Sequence, residues 1–297
     1  MNRPDLTCIV TTYRSPAWLR LCLHALAADV RRLPGTRVEL VVGDDGDDEH
    51  QSRAVVKEIA QLRVFESVRR FWQERSGFGK CRLANKAAAA AQAPLLLFLD
   101  GDCLVAPGAL SAHLRLARPN RYVAGSPIRL GPRASAALRV ADVQAGRHAR
   151  PFFVLTQALA GEVESKSHYA LLRLPGLTRL FRRTGRGGFN GGCTSVPAAL
   201  LLQVNGWDES LGYGFEDTDL GHRLQNAGAQ PVSARTEAMV VHLWHERGHR
   251  DPAVFERQRA AVAATLHGGI VRAEQGLAEL GPHDAAVWED PNSYSPG

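Results

Sequence analysis

Two aspartates separated by one glycine, Asp100 and Asp102, follow a run of five apolar residues at positions 95–99. Such a run predicts a short strand that is buried on both faces. In open α/β sheets, ligands bind beyond the carboxyl ends of the strands. Two neighbouring carboxylates repel each other unless a cation lies beside them, and Mg²⁺ and Mn²⁺ prefer carboxylate oxygens. The spacing therefore indicates a divalent-metal site, with a polar turn after a strand as the alternative.

Polar clusters also follow two other predicted strands. They are Thr11, Thr12, Tyr13 and Arg14 after the strand that begins at Leu6, and Asp44 and Asp45 after the strand that begins at Val38. We expect all three clusters to lie at one edge of the sheet and to mark one site. The sequence has neither a G-x-G-x-x-G fingerprint nor a P-loop. The phosphates of a nucleotide would therefore be held by the metal and by Lys80 or Arg82, while Asp44 or Asp45 would bind the base or ribose.

Strand and helix alternate through the first 127 residues, which favours a doubly wound, mostly parallel α/β sheet. Within this half we expect a helix at about residues 51–62, a short strand at 63–65 and a helix from Lys80 onward. Residues 128–187 are rich in arginine and apolar residues without clear strand breaks, which predicts a helical insertion. The segment after residue 250 predicts a helical tail.

The glycines and acids of the second half form another polar constellation. A glycine-dense loop at residues 187–193 contains Gly191 and Gly192, and a helix is expected from Ser195 to about residue 205. Trp207 precedes the pair Glu216 and Asp217, which opens a predicted helix. The helix macrodipole stabilises acids at such a position, which is the structural interpretation. The aromatic residues nearby favour a sugar-binding cleft instead.

A histidine-rich segment follows the last predicted strand, which ends before His242. Residues 245–249 match H-E-x-x-H, the helix motif of zinc hydrolases. That motif requires both histidines on one helical face, whereas Gly248 lies inside this match and Pro252 follows within one turn. The zinc hydrolase is thus an alternative that the local sequence disfavours.

Composition narrows the class of protein. The net charge of +6 and an isoelectric point near 9.3 indicate an anionic partner, which includes nucleic acids, nucleoside diphosphates and anionic lipids. The five cysteines are scattered without a C-x-x-C pair, which predicts reduced thiols and a cytoplasmic location. No apolar run approaches the eighteen or more residues of a membrane-spanning helix.

Taken together, these stretches resemble the family-2 glycosyltransferases of GT-A fold, a Rossmann-like architecture with a mostly parallel sheet flanked by helices. The likeness covers residues 5–128 and 187–246. It is carried by residues 9–13, 41–46, 79–85, 98–102, 205–209 and 214–217. The last two segments are similar to the acceptor-side motif of galactosyl-transferring relatives. Asp47 stands where the family pattern has Ser or Thr.

The resemblance implies a role for each motif residue. The donor-binding set is Thr11, Thr12, Tyr13, Arg14, Asp44, Asp45, Lys80, Arg82, Asn85, Asp100 and Gly101. The acceptor-binding set is Gly191, Gly192, Trp207 and Glu216. The metal ligands for Mn²⁺ or Mg²⁺ would be Asp100, Asp102 and His242, with His245 as the rival of His242. Asp217 would be the catalytic base, assisted by Glu216.

The implied function is a metal-dependent, inverting transfer of a sugar from a nucleoside-diphosphate sugar, with UDP the expected nucleotide. The acceptor would be a hydroxyl group, with lipid-linked and surface glycans among the candidates, and nucleic acid would not be a partner. The division implied is a nucleotide-sugar-binding half at 1–127, the insertion at 128–187, an acceptor-binding and catalytic half at 188–250, and the tail at 251–297. The alternatives are a sugar-nucleotide pyrophosphorylase, whose glycine- and lysine-rich loop is missing, and a binding module without catalysis.

The insertion also suggests a location. Between positions 171 and 183, leucines alternate with Arg173, Arg179, Arg182 and Arg183. We expect either a solvated edge of the core or a weak peripheral contact with the inner face of a membrane.

Overall fold

The structure is a computed structural model that describes residues 3–46, 49–73, 77–164, 183–184, 188–246 and 251–281, with backbone alone at 49, 50, 183 and 184. The region 171–182 therefore lies outside the described residues, as do Asp47 and the side chain of Arg183.

The described strands are β1 (Leu6–Thr12), β2 (Val38–Asp44), β3 (Ser67–Trp72), β4 (Leu95–Asp100), β5 (Cys103–Val105), β6 (Arg121–Ala124), β7 (Ser126–Arg129), β8 (Arg183–Thr184), β9 (Cys193–Pro197), β10 (Gln230–Ser233) and β11 (Met239–His242). The described α-helices are α1 (Pro16–Val30), α2 (Glu49–Gln61), α3 (Lys80–Ala90), α4 (Ala109–Leu116), α5 (Pro132–Ala137), α6 (Val140–Gln144), α7 (Pro151–Leu159), α8 (Ala198–Gln203), α9 (Glu216–Asn226) and α10 (Pro252–His267).

The main sheet has eight strands in the order β3-β2-β1-β4-β9-β6-β10-β8. Strands β1 to β4 pair in parallel, and β9 runs antiparallel between β4 and β6. A second sheet has the order β5-β11-β7. The architecture is the expected α/β fold with a mostly parallel sheet and flanking helices, and described helices occupy part of both the insertion and the tail.

Apolar residues on the two faces of the main sheet form two cores. All residues of β1 and β2 are buried, as a strand covered by helices on both faces requires. Helices α1 and α2 pack on one face together with the second sheet. Helices α3, α8 and α9 pack on the other face. The carboxyl ends of β1, β2 and β4 therefore lie between the helices that cover the two faces of the main sheet.

One expected strand and one expected helix begin later in the chain than the sequence predicted. The strand expected at residues 63–65 begins instead at Ser67, because Arg63 adopts a left-handed conformation (φ 49°) after α2. Two arginines in the middle of β3 disguise it: Arg69 pairs with the buried Glu39, and Arg70 lies 3.8 Å from Asp44. The helix expected from Ser195 is present as α8 but begins later, at Ala198, because residues up to Pro197 form β9.

Candidate active site

Parallel pairing brings the three polar clusters to one edge of the main sheet. Thr11 lies opposite Asp100, and Thr12 lies opposite Asp44. The Gly101 N–H donates to the Thr11 carbonyl at 2.8 Å. A Cβ at Gly101 would lie 3.0 Å from the side chain of Thr12, so a glycine lets the Asp-Gly-Asp turn lie close to β1. The sequence prediction of one shared edge is confirmed.

A cavity of about 270 Å³ lies beside this edge, and Thr12, Arg14 and Asp44 line it with Gln51 and Ser52. Tyr13 is 39% exposed, and the Arg14 guanidinium lies 5.3 Å from the centroid of its ring. The buried Asp44 carboxylate accepts a hydrogen bond from Ser52 Oγ, which in turn accepts from Arg70 Nε at 3.0 Å. Ser52 and Arg70 thus position Asp44, and sequence reasoning missed both because they come from α2 and β3.

Asp45 does not share the position of Asp44. Its Oδ1 accepts from Gln73 Nε2 and its Oδ2 from the Gly79 N–H, both at 2.9 Å. Gly79 is the residue that precedes α3. Asp45 therefore fixes the start of α3, and its expected contact with the donor stays a prediction.

Lys80, the first residue of α3, joins two acids from distant parts of the chain. Its Nζ lies 2.6 Å from Asp100 Oδ1 and 3.8 Å from Glu216 Oε1. Burial by itself would lower the pKa of Lys80, but Asp100 and Glu216 raise it above its ordinary value. Burial would raise the pKa of Asp100, yet the Lys80 ammonium lowers it. For Glu216 burial prevails and raises the pKa despite Lys80.

The other two predicted donor residues of α3 do not face this cluster. Arg82 is half-exposed and lies 3.8 Å from Glu209. Asn85 is completely buried, and its amide nitrogen donates to the Trp207 carbonyl (2.9 Å) and to Glu209 Oε1 (3.0 Å). Its oxygen accepts from the Trp207 N–H at 2.8 Å. The expectation that Asn85 binds the donor is wrong, because its hydrogen bonds hold the segment around Trp207.

The second acid of the Asp-Gly-Asp turn lies among histidines. Asp102 Oδ1 is 3.8 Å from His242 Nε2, and its Oδ2 is 3.3 Å from His245 Nε2. Strand β11 positions His242 through its pairing with Cys103 in β5, and the Leu243 N–H donates to the Asp102 carbonyl at 2.9 Å. Asp102, Cys103 and His242 each offer one possible metal-binding atom, and these three atoms lie within 4.8 Å of one another. Asp100 faces Lys80, so the two acids of the motif have different neighbours.

The described part of the H-E-x-x-H segment does not form the helix that the zinc-hydrolase alternative requires. Residues 243–246 follow β11 without helical structure. The helix that H-E-x-x-H requires therefore does not begin at His245, and His249 lies outside the described residues.

The loop before β9 approaches Asp100 and Lys80 closely. A Cβ at Gly192 would lie 3.1 Å from Cys103 Sγ and 3.2 Å from Asp100 Oδ2. A Cβ at Gly191 would lie 3.0 Å from Lys80 Nζ and 3.2 Å from Trp207 Cη2. Any other residue here would crowd the site.

Trp207 lies beneath this loop and not in an open cleft. It is 1% exposed, and its ring packs against Phe98 and Phe189 at centroid distances of 5.3 and 5.4 Å. The expectation that Trp207 stacks on an acceptor sugar is therefore wrong. Its ring supports Lys80, whose Nζ lies 5.9 Å from the ring centroid.

Glu216 and Asp217 occupy the first turn of α9, as expected. Glu216 is buried and accepts from the Gly214 N–H at 2.8 Å, whereas Asp217 is half-buried. Two turns after Glu216, Arg223 donates to Asp219 (2.7 Å) and to the carbonyls of residues 204 and 206. Sequence reasoning missed this pair, although its i,i+4 spacing was a signal. It locks α9 to the segment before Trp207.

A model of glycosyl transferase family 2 matches residues 7–158, which is half of the chain and includes β1 to α7. The chain belongs to glycosyltransferase family 2. Two relatives are the validoxylamine A glucosyltransferases of Streptomyces hygroscopicus subsp. jinggangensis (29% identical) and subsp. limoneus (28% identical), each matched over 83% of this chain. The chain spans 57% and 53% of the length of these relatives.

Two solved structures share the fold of this family-2 chain. The mannosyltransferase PcManGT from Pyrobaculum calidifontis, in complex with GDP-Man and Mn²⁺, is 18% identical with a TM-score of 0.55, over 90% of this chain and 71% of its own. TarS from S. aureus is 15% identical with a TM-score of 0.58, over 94% of this chain and 41% of its own. At such identities the likeness concerns the GT-A fold alone.

Proposed function

We propose that this family-2 chain is a metal-dependent, inverting glycosyltransferase that moves a sugar from a nucleoside diphosphate, with UDP expected, to a hydroxyl acceptor. One observation carries the proposal: the Asp-Gly-Asp turn lies between two histidines on one side and the Lys80–Glu216 cluster on the other. The candidate metal ligands therefore lie on one side of this turn and Glu216, which precedes Asp217, lies on the other. His242 and His245 also line a cavity of about 550 Å³.

The donor set fits a divalent metal. Asp102 supplies a carboxylate, His242 supplies an imidazole nitrogen, and His245 is the second imidazole within reach of Asp102. Mixed oxygen and nitrogen ligands favour Mn²⁺ over Mg²⁺, which prefers oxygen ligands and retained waters. A bound metal would neutralise the charge that grows on the leaving diphosphate. The Mn²⁺ of the structural neighbour PcManGT agrees with this choice.

The protein's own residues supply donor placement. Thr12, Arg14 and the positioned Asp44 line the cavity that would hold the base and ribose. Lys80 lies beside Asp100, where its ammonium would face the diphosphate. Gly191 and Gly192 would bring the backbone of their loop close to the sugar, because they place no side chain against Lys80 and Asp100.

Proton transfer falls to the acid pair. The Asp217 carboxylate takes the proton of the acceptor hydroxyl as its oxygen bonds to the anomeric carbon. The bond from that carbon to the diphosphate oxygen breaks at the same time, so the configuration inverts and the nucleoside diphosphate leaves. Glu216 orients the acceptor while its own position is fixed by the Gly214 N–H and Lys80. Much of the rate comes from this placement.

The proposal extends to the sugar and the acceptor. The relatives are named for glucosyl transfer to validoxylamine A, so UDP-glucose is the first donor to test and validoxylamine A joins lipid-linked glycans as a candidate acceptor. The structural neighbour's GDP-Man makes GDP-mannose the second donor. We place the enzyme in the cytoplasm, at the inner face of a membrane.

The test is a screen of UDP-glucose, UDP-galactose, UDP-N-acetylglucosamine and GDP-mannose for release of nucleoside diphosphate, with Mn²⁺, Mg²⁺, Zn²⁺ or EDTA. Activity with Mn²⁺ is expected, and Asp102→Ala should abolish it together with Mn²⁺-dependent UDP binding. Glu256→Ala, at an exposed acid of α10, is the matched control. Equal UDP affinity with and without metal in the wild type would refute the metal role, and activity restored by Zn²⁺ alone would favour the hydrolase alternative.

A further inference from the structure

Helix α7 exposes an apolar stripe. Phe152, Leu155 and Leu159 are 77%, 41% and 80% exposed, and they account for three of the nine large hydrophobic residues that are exposed in the described part of the chain. Their spacing of three and four residues places them on one side of the helix. Only Val154 of this helix is buried, and it packs into the core.

The helix has the composition of one that is surrounded by apolar material. Its nine residues, Pro-Phe-Phe-Val-Leu-Thr-Gln-Ala-Leu, include no charged side chain. A helix of a water-facing surface normally carries polar residues opposite its core face. Contiguous exposed apolar residues of this kind mark an interaction surface.

Arginines gather at the amino end of this stripe. Arg150 precedes the first helical residue, and Arg147, whose side chain is 55% exposed, lies one turn earlier. A cation at a helix N-terminus opposes the macrodipole, so helix stability does not explain Arg150. Between residues 129 and 163 the sequence has five arginines against two acids. Those acids, Asp142 and Glu162, each lie beside an arginine.

We propose that α7, with Arg147 and Arg150, binds the surface of an anionic lipid bilayer. The three apolar side chains would enter the boundary between headgroups and acyl chains, and the arginines would contact lipid phosphates. No described helix is both long and apolar enough to cross a membrane, so this contact would be peripheral. Short apolar insertion combined with basic residues gives reversible binding.

The chain that leaves α7 runs to the candidate active site. After α7 the chain pairs Val163 with Leu130, and the Glu164 N–H donates to the Arg129 carbonyl at 3.1 Å. Leu130, Arg129 and Glu164 line a cavity of about 550 Å³ together with His242 and His245. Residues 160–164 thus connect the proposed membrane-binding helix to the cavity that contains the histidines. This inference deepens the proposed function. Binding to the membrane does not depend on that function, and only the purpose of the binding rests on it.

The test is flotation of the protein with vesicles of phosphatidylcholine alone or with 30% phosphatidylglycerol, at 50 and 500 mM NaCl. Wild type should float with the anionic vesicles at low salt. The triple variant Phe152→Ser, Leu155→Ser, Leu159→Ser should lose at least tenfold in binding. Arg147→Gln with Arg150→Gln should lose about fivefold per arginine and with it the preference for phosphatidylglycerol. The control is Leu202→Ser with Leu266→Ser, two exposed leucines elsewhere, which should bind as wild type.

Several results would overturn the proposal. The proposal would be refuted if the wild type did not bind anionic vesicles, or if the triple variant floated as well as the wild type. A marked fall in melting temperature of the triple variant would show that protein covers the stripe. Concentration-dependent dimerisation that the triple variant abolishes would assign the stripe to a second copy. Hydrolysis of the nucleotide sugar, measured without vesicles, should be equal in all variants, and its absence in wild type would count against the proposed function alone.

Discussion

The ammonium of Lys80 lies 2.6 Å from Oδ1 of Asp100, so the first acid of the Asp-Gly-Asp turn is paired with a protein cation. The second acid, Asp102, faces His242 and His245. Asp102 and the two histidines are therefore the candidate metal ligands, while Lys80 joins Asp100 to Glu216. Substitution of Asp100 and substitution of Asp102 should therefore have different effects.

Replacement of Lys80 by Met should lower both stability and nucleotide affinity. Asp100 and Glu216 would lose the cation between them, and an acid left without its partner in a largely buried site costs about 1–3 kcal/mol. Urea unfolding and UDP titration calorimetry measure the two effects. Arg82→Met, which removes a half-exposed cation of the same helix, should cost less than about 1 kcal/mol of unfolding free energy. Equal losses in the two variants would show that the Lys80 cluster has no special role.

The Asp217→Asn variant should fold and bind donor but lose about two to four orders of magnitude in kcat, the usual effect of removing a positioned base. Steady-state kinetics and UDP titration separate these quantities. Glu256→Gln, at an exposed acid of α10, is the control and should retain its turnover. Near wild-type turnover of Asp217→Asn would remove Asp217 from the mechanism, and Glu216 would become the base to test.

The Asn85→Ala variant should be less stable by about 1–3 kcal/mol, because the backbone groups of Trp207 lose their buried partner. If Asn85 acts through structure alone, the KM for donor at a temperature where the variant is folded should change little. Denaturant unfolding and donor kinetics test this, with the exposed Asn120→Ala as control. A large rise in donor KM without loss of stability would restore the donor-binding role.

Stability should fall in acid because of His113. Burial lowers the pKa of His113 to about 3, and its ring nitrogens lie 2.8 Å from Ser195 Oγ and 3.3 Å from Cys193 Sγ. The unfolded chain protonates this histidine below about pH 6.5, whereas the folded protein keeps it neutral. Its contribution is therefore complete above pH 6.5 and is lost as the pH falls toward 3, by about 2 kcal/mol at pH 5.

The measurement is urea unfolding at pH 7.5, 6.0 and 5.0 for wild type and His113→Gln. The variant should lose less stability between pH 7.5 and 5.0, whatever its stability at pH 7.5. Parallel pH curves for the two proteins would contradict the assignment to His113.

The sequence by itself determined the central features of the site. A run of apolar residues before Asp100, and acids before a helical pattern at Glu216, are local signals that need no knowledge of distant contacts. Because parallel strands end at a common edge, the order of strands and acids was enough to predict that Thr11, Asp44 and Asp100 meet.

The tertiary structure alone decided which polar residues face the ligand and which support the fold. Asn85 and Trp207 are 122 positions apart, and their hydrogen bonds turn a predicted donor ligand and a predicted sugar platform into buried supports. Strand β9 likewise formed where a helix was expected, because pairing with β4 and β6 outweighed local preference. Hydrogen bonding and burial depend on neighbours that packing brings together from distant parts of the chain. Local sequence patterns do not identify those neighbours.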